Sequence, residues 1–165
     1  MELVNNTDNS KQKRMEEAIK YMVEKTVSEN GIEIIKLMKL EFVECNAEEK
    51  TLTTKIRVVD WELNPQGTMH GGLVATVFDT TFGLLTHYYA GQNFITTVDL
   101  STRYLKAIPS NCNLLIKVKA CHVGRTLASL TGEAFIEESG VLASVCNSTF
   151  MIVRGKQAQI KPPGI

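Results

Sequence analysis

The sequence predicts an α+β fold in which a six-stranded antiparallel sheet wraps around one long central helix, with an amphipathic helix added at the N-terminus. Three observations predict it. Residues 73–90 form a stretch that is apolar nearly all round, so the helix there must be enclosed by other structure. From Phe94 to Val153 the hydrophobic period is two, in four runs separated by short turns. Two further strand-like runs precede the helix.

Taken in order, the chain opens with a polar stretch, after which Met15, Ala18, Ile19, Met22, Val23 and Val27 recur at helical spacing and Asn30-Gly31 supplies a stop. Strands are expected over about Leu37 to Cys45 and Thr51 to Val59, joined as a hairpin by the polar N-A-E-E-K turn. A loop follows, punctuated by Asn64-Pro65 and Gly67, and the central helix runs from there to Gly91. The remaining strands are expected at about Phe94 to Ile108, Asn113 to Val123, Thr126 to Glu138 and Val141 to Val153. Pro109-Ser110, Gly124-Arg125 and Glu138-Ser139-Gly140 between them read as hairpin connections, which makes these strands antiparallel neighbours. Residues 1–11 read as a flexible N-terminus, 12–154 as a single domain and 155–165, without periodicity, as a loose tail.

The chain of 165 residues is long enough for one sizeable core. Its 18 basic and 18 acidic residues leave no net charge, so no long-range field favours a nucleic-acid partner. The first residues carry no apolar segment of the signal-peptide kind, and Asp79, His87 and several threonines interrupt the longest apolar run; both features point to a cytoplasmic protein without a membrane span. Cys45, Cys112, Cys121 and Cys146 show no CxxC spacing and read as free thiols packed in the core.

Three features of the central helix are poor for folding. Gly71 and Gly72 sit in its first turn, where each sacrifices roughly a kcal/mol of helix propensity but lets another molecule approach the unpaired N–H groups of the helix start. Such a start suits an oxyanion or a carbonyl. Asp79 places a carboxylate between Phe78 and Phe82, which is costly unless it is hydrogen-bonded or faces a cleft. His70 stands at the helix start, nine residues before Asp79; on a helix that is about half a revolution and about 13.5 Å along the axis. The two ends cannot share one site within one chain. If they cooperate, a second copy of the helix must run antiparallel alongside, and Ala75 and Gly83, the small neighbours of Asp79, allow that approach.

Asn64, then His70-Gly71-Gly72, then Asp79, followed by the segment V-D-L-S-T-R-Y-L-K-A-I-P and the later Gly124-Arg125, resembles the PaaI-like acyl-CoA thioesterases of the hotdog fold over roughly residues 35 to 153. The resemblance implies a homo-oligomer, a dimer or a dimer of dimers, that hydrolyses an acyl-CoA to a free acid and coenzyme A without a separate cofactor. It implies that Asp79 activates water as general base, or acts as nucleophile, while the main-chain N–H of Gly71 polarises the thioester carbonyl. It implies that Asn64 and His70 belong to the catalytic set and arrange the loop and the thioester group, and that Gly72 in the same turn binds substrate. Thr97 falls where some relatives carry a serine that orients the attacking water. Gly124 with Arg125, and Arg103 with Lys106, are candidates for the coenzyme A phosphates. The bland readings are a structural aspartate, a glycine pair that only eases packing, and solvated arginines.

Cys121 beside His122 suggests a nucleophile until geometry is considered, because adjacent strand residues point to opposite faces. The histidines and cysteines have no metal-ligand spacing. Two rival functions remain on the sequence alone: a hotdog dehydratase or hydratase acting on acyl thioesters, and a non-catalytic acyl-CoA sensor.

Overall fold

A computed structural model describes residues 2–28, 33–162 and 165, with backbone alone for 2–8 and 33. Its element order is α1 (Glu2–Val27), α2 (Glu33–Met38), β1 (Glu41–Asn46), β2 (Thr51–Arg57), α3 (Gly71–Ala90), β3 (Asn93–Tyr104), β4 (Asn113–Val123), β5 (Leu127–Ile136) and β6 (Val141–Gln157), with a short 3-10 turn at Asp60–Glu62 before α3. The six strands form one antiparallel sheet in the order β1-β2-β4-β5-β6-β3. This is the hotdog architecture, with α3 enclosed as its sequence predicts.

The enclosure has a specific cause in the sheet. Val74, Val77, Phe78, Phe82, Leu84 and Leu85 of α3 are buried, and the rings of Phe78 and Phe82 stack with centroids 5.9 Å apart. They lie over Gly132 of β5, where an added Cβ would come within 2.9 Å of Phe82 and 3.0 Å of Phe78. A side chain at that position would force these two rings to shift. Behind this contact the hydroxyls of Thr54 and Thr81 bond to each other at 2.8 Å, which satisfies the polar atoms that β2 and α3 bring into the core. Met15, Ala18, Ile19 and Met22 of α1 are buried against the same core, as the helical spacing predicts.

Several expectations are corrected. Leu37 belongs to α2 and not to the first strand, which begins only at Glu41 after Lys39 turns with a φ of 50°. The expected Asn30-Gly31 stop lies outside the described residues. Regular helix already occupies most of 1–11, since α1 begins at Glu2.

The Pro109-Ser110 connection is not a hairpin, because β3 pairs with β6 at one sheet edge and β4 lies three strands away. The chain is carried across the sheet by main-chain bonds to the central loop: Met69 N–H donates to Ile108 O at 2.8 Å and Val58 N–H to Cys112 O at 2.9 Å. The other two connections are hairpins as expected.

The tail is not loose. β6 continues to Gln157, Ala158 N–H donates to Gln92 O at 3.0 Å, Ala158 and Pro162 are buried, and Ile160 packs against the core. Among the described residues no helix is long and apolar enough to cross a membrane.

Candidate active site

The loop before α3 is shaped by Asn64. Its Oδ1 accepts from Gln66 N–H at 2.9 Å and Thr68 N–H at 3.3 Å, its Nδ2 donates to Thr68 Oγ1, and its main-chain carbonyl accepts from Gly67 N–H. This is an Asx turn, with Gly67 at a φ of 75°. The loop then ends on His70, which caps the helix: its Nδ1 accepts from Gly72 N–H at 3.0 Å, and its carbonyl takes the N–H groups of Leu73 and Val74. Among the described residues the N–H of Gly71 has no such partner, so it is the donor left at the helix start, where the dipole favours negative charge.

Both glycines are explained by close contacts. A Cβ on Gly72 would press on His70 Nδ1 at 3.2 Å, and one on Gly71 would press on the ring of Tyr104 at 3.1 Å. Tyr104 Oη donates to Gly71 O at 2.8 Å. Local packing and an open N–H therefore coexist at this turn. Tyr104 is a residue that sequence reasoning missed, since a contact spanning 33 positions leaves no local signal.

Asn64, Gly71, Tyr104 and Lys106 line one pocket of about 350 Å³ at the helix start. Arg103 does not join them, because it precedes Tyr104 on a strand and points to the opposite face. Asp79 lies elsewhere, partly buried on a cavity of about 250 Å³ with Gly83, His87, Ile95 and Phe150. Its Oδ1 accepts from Thr97 Oγ1 at 2.8 Å. The two pockets share no residue, so one chain does not unite Gly71 with Asp79. A larger concavity of about 490 Å³, on the outside of the sheet around Lys117, Thr131 and Asn147, contains none of the predicted site residues.

Strand register places the phosphate candidates at two ends of the sheet. Thr97 pairs with Phe150 and Phe150 with Ala128, which puts the Gly124-Arg125 turn just beyond the Asp79 end. The exposed Arg125 carbonyl accepts from Arg154 Nε at 3.0 Å, which brings a second guanidinium to that turn. Lys106 sits at the Gly71 end, about 20–30 Å away along β3 at about 3.3 Å per residue.

Glu62 is the second residue missed. It is fully buried; its Oε2 accepts from Val59 N–H at 2.7 Å, its main-chain carbonyl accepts from His70 N–H, and its Oε1 has no partner among the described residues. Burial pushes its carboxyl above the usual carboxylate range.

Cys121 corrects the opposite-face expectation: a bulge between Ala120 and His122 leaves both Cys121 and His122 exposed. The Cys121 thiol nevertheless meets Thr131 Oγ1 at 3.5 Å. Of the four free cysteines, Cys112 and Cys146 are buried, Cys45 is half-buried and Cys121 is outside the core. Among the described residues no group of three or more histidines, cysteines or acids is placed to hold a metal ion.

With this geometry in place, residues 66–143 match the family model described as the thioesterase superfamily. The matched segment, which holds the loop end before α3, α3 itself and β3 to β5, points to a thioester hydrolase. The fold of this chain is similar to that of the Escherichia coli PaaI protein from the phenylacetic acid degradation operon, at a TM-score of 0.75 and 13% identity over 88% of this chain and 98% of that one. It is also similar to a hypothetical thioesterase from Streptococcus pneumoniae TIGR4 solved with coenzyme A, at 0.64 and 25% over 72% and 88%. The smu.793 protein of Streptococcus mutans UA159, bound to acetyl CoA, gives 0.64 and 24% over 72% and 91%. Comparison with curated proteins yields no match.

Proposed function

We propose that this thioesterase hydrolyses acyl-CoA to a carboxylic acid and coenzyme A, in a site assembled from two copies of the chain. The observation that carries the reading is the Asp79 carboxylate on a mainly apolar cavity, holding the Thr97 hydroxyl, with the open Gly71 N–H in a separate pocket. Coenzyme A and acetyl CoA in similar folds support the substrate class.

In this reading Thr97 spends its proton on Asp79, so its lone pairs are left to accept from a water, and the other Asp79 oxygen takes that water's second proton. The water oxygen attacks the thioester carbon. The carbonyl oxygen becomes an oxyanion held by the partner copy's Gly71 N–H, a donor worth about 2.7–4 kcal/mol of barrier. Collapse expels the thiolate, and the proton held by Asp79 returns to it.

An antiparallel pairing of two α3 helices brings the Asp79 end of one copy to the Gly71 end of the other, and with it Gly124-Arg125 beside Lys106 as a phosphate-binding edge. The long edge strand β3, with Val98 about half exposed, supports such a pairing. We assign the enzyme to the cytoplasm, no cofactor beyond the substrate's coenzyme A, and one domain over 12–154 to which 155–162 is docked.

Thiol release from a panel of acyl-CoAs, followed with a thiol reagent, tests the reading. Release is expected. An altered acyl chain without free thiol would assign a dehydratase, and saturable binding without turnover a sensor.

A further inference from the structure

The cavity beside Asp79 is built from more of the chain than the site itself needs. Met22 and Thr26 come from α1, Asp79, Gly83 and His87 from α3, and Ile160 from the docked tail. Positions 79, 83 and 87 follow one another on a single helix face, so the cavity runs from the carboxylate towards the C-terminal end of α3. Asp79 to His87 is about 12 Å along the axis.

Two measures of its capacity agree. An extended chain advances about 1.2 Å per bond, so about ten bonds span that distance. The volume of about 250 Å³ holds about eight groups of water size, at about 30 Å³ each. An acyl chain of eight to ten atoms fits both measures.

The chemistry of the walls narrows the class. Among the described residues no lysine or arginine lines the cavity, and Asp79 supplies the one formal carboxylate. The Thr26 hydroxyl donates to the carbonyls of Met22 and Val23 in its own helix. Burial pushes the His87 imidazole below its ordinary value, which leaves it neutral at pH 7, and its Nδ1 is buried without a partner among the described residues. A tail carboxylate on the acyl group would meet the Asp79 charge and find no cation.

Resting on the acyl-CoA thioesterase reading, we infer that this cavity takes the acyl group and that His87, with Met22 and Ile160, closes its far end, so the enzyme selects uncharged acyl chains of about eight to ten carbons. The N-terminal helix and the C-terminal tail then act as specificity elements.

The test is the kcat/KM profile over saturated acyl-CoAs from acetyl to palmitoyl, with succinyl-CoA as a charged probe, for the wild type, His87→Ala and Ile160→Trp. The wild type should peak at octanoyl to decanoyl, fall about tenfold or more towards palmitoyl, and discriminate against succinyl relative to butyryl by about tenfold. His87→Ala should move the peak to longer chains and Ile160→Trp to shorter ones. If His87→Ala does not fold, Ile160→Trp decides alone. Thiol release with the same profile in every folded variant would overturn the assignment of the far end and leave the thioesterase reading standing. No thiol release from any acyl-CoA would overturn that reading and this inference with it.

Discussion

Asp79 is a carboxylate in a helix that is otherwise apolar, and its surroundings resolve the tension: it faces a cavity and holds the Thr97 hydroxyl at 2.8 Å. Asp79→Asn keeps the shape and removes the base. Steady-state kinetics on a hydrolysed acyl-CoA should show kcat reduced by about 10²-fold or more with KM largely kept, because a general base contributes about 10²–10⁴. A folded variant with near-normal kcat would remove Asp79 from the chemistry. Glu62 makes a prediction of a different kind. Its folded carboxyl titrates above the usual value, so the fold favours the protonated form. As pH rises from the ordinary glutamate value of about 4.3 through the raised one, that contribution to stability is lost. Thermal melts over this window should show the wild type losing stability relative to Glu62→Gln, which has no carboxyl to titrate; parallel curves would contradict the account. The candidate residues differed in how far they could be read in advance. Asn64, His70, Gly71 and Asp79 share a short segment whose spacing carries meaning. Glu62 looks like any solvated loop acid until the fold covers it, and the partners of Tyr104 lie 33 positions away.

At the scale of elements, the sharpest contact is between β5 and α3. Gly132→Ala adds a methyl group within 2.9 Å of Phe82, 3.0 Å of Phe78 and 3.1 Å of Val118. Overpacking of this kind costs about 1–3 kcal/mol. Chemical denaturation should register that loss, and Phe82→Leu in the same chain should recover part of it; unchanged stability of Gly132→Ala would mean that the helix does not rest on this strand. The strands themselves were legible, since alternation over residues 94–153 is a local signal. Their order was not. Pro109-Ser110 looks like a hairpin turn, but the main-chain bonds that carry residues 105–112 across the sheet join them to Ala143 of β6 and to the segment between β2 and α3, and no period reports them. The docking of the tail leaves no local signal for the same reason, because Ala158 is held by a partner 66 positions earlier, Gln92.

For the whole molecule, the sequence argument that a helix start and a carboxylate nine residues apart cannot meet agrees with two pockets that share no residue. The central claim is that two copies of the chain complete each site, and complementation tests it most directly. Asp79→Asn and Asn64→Ala, each inactive, are unfolded and refolded together in equal amounts, and mixed dimers are verified. Under closed two-fold pairing half the dimers are mixed, and in each mixed dimer one composite site carries both lesions while the other carries neither. About a quarter of wild-type activity should return, as one half of the dimers times one half of their sites. Activity no greater than the average of the two variants would place the whole site within one chain and contradict the account.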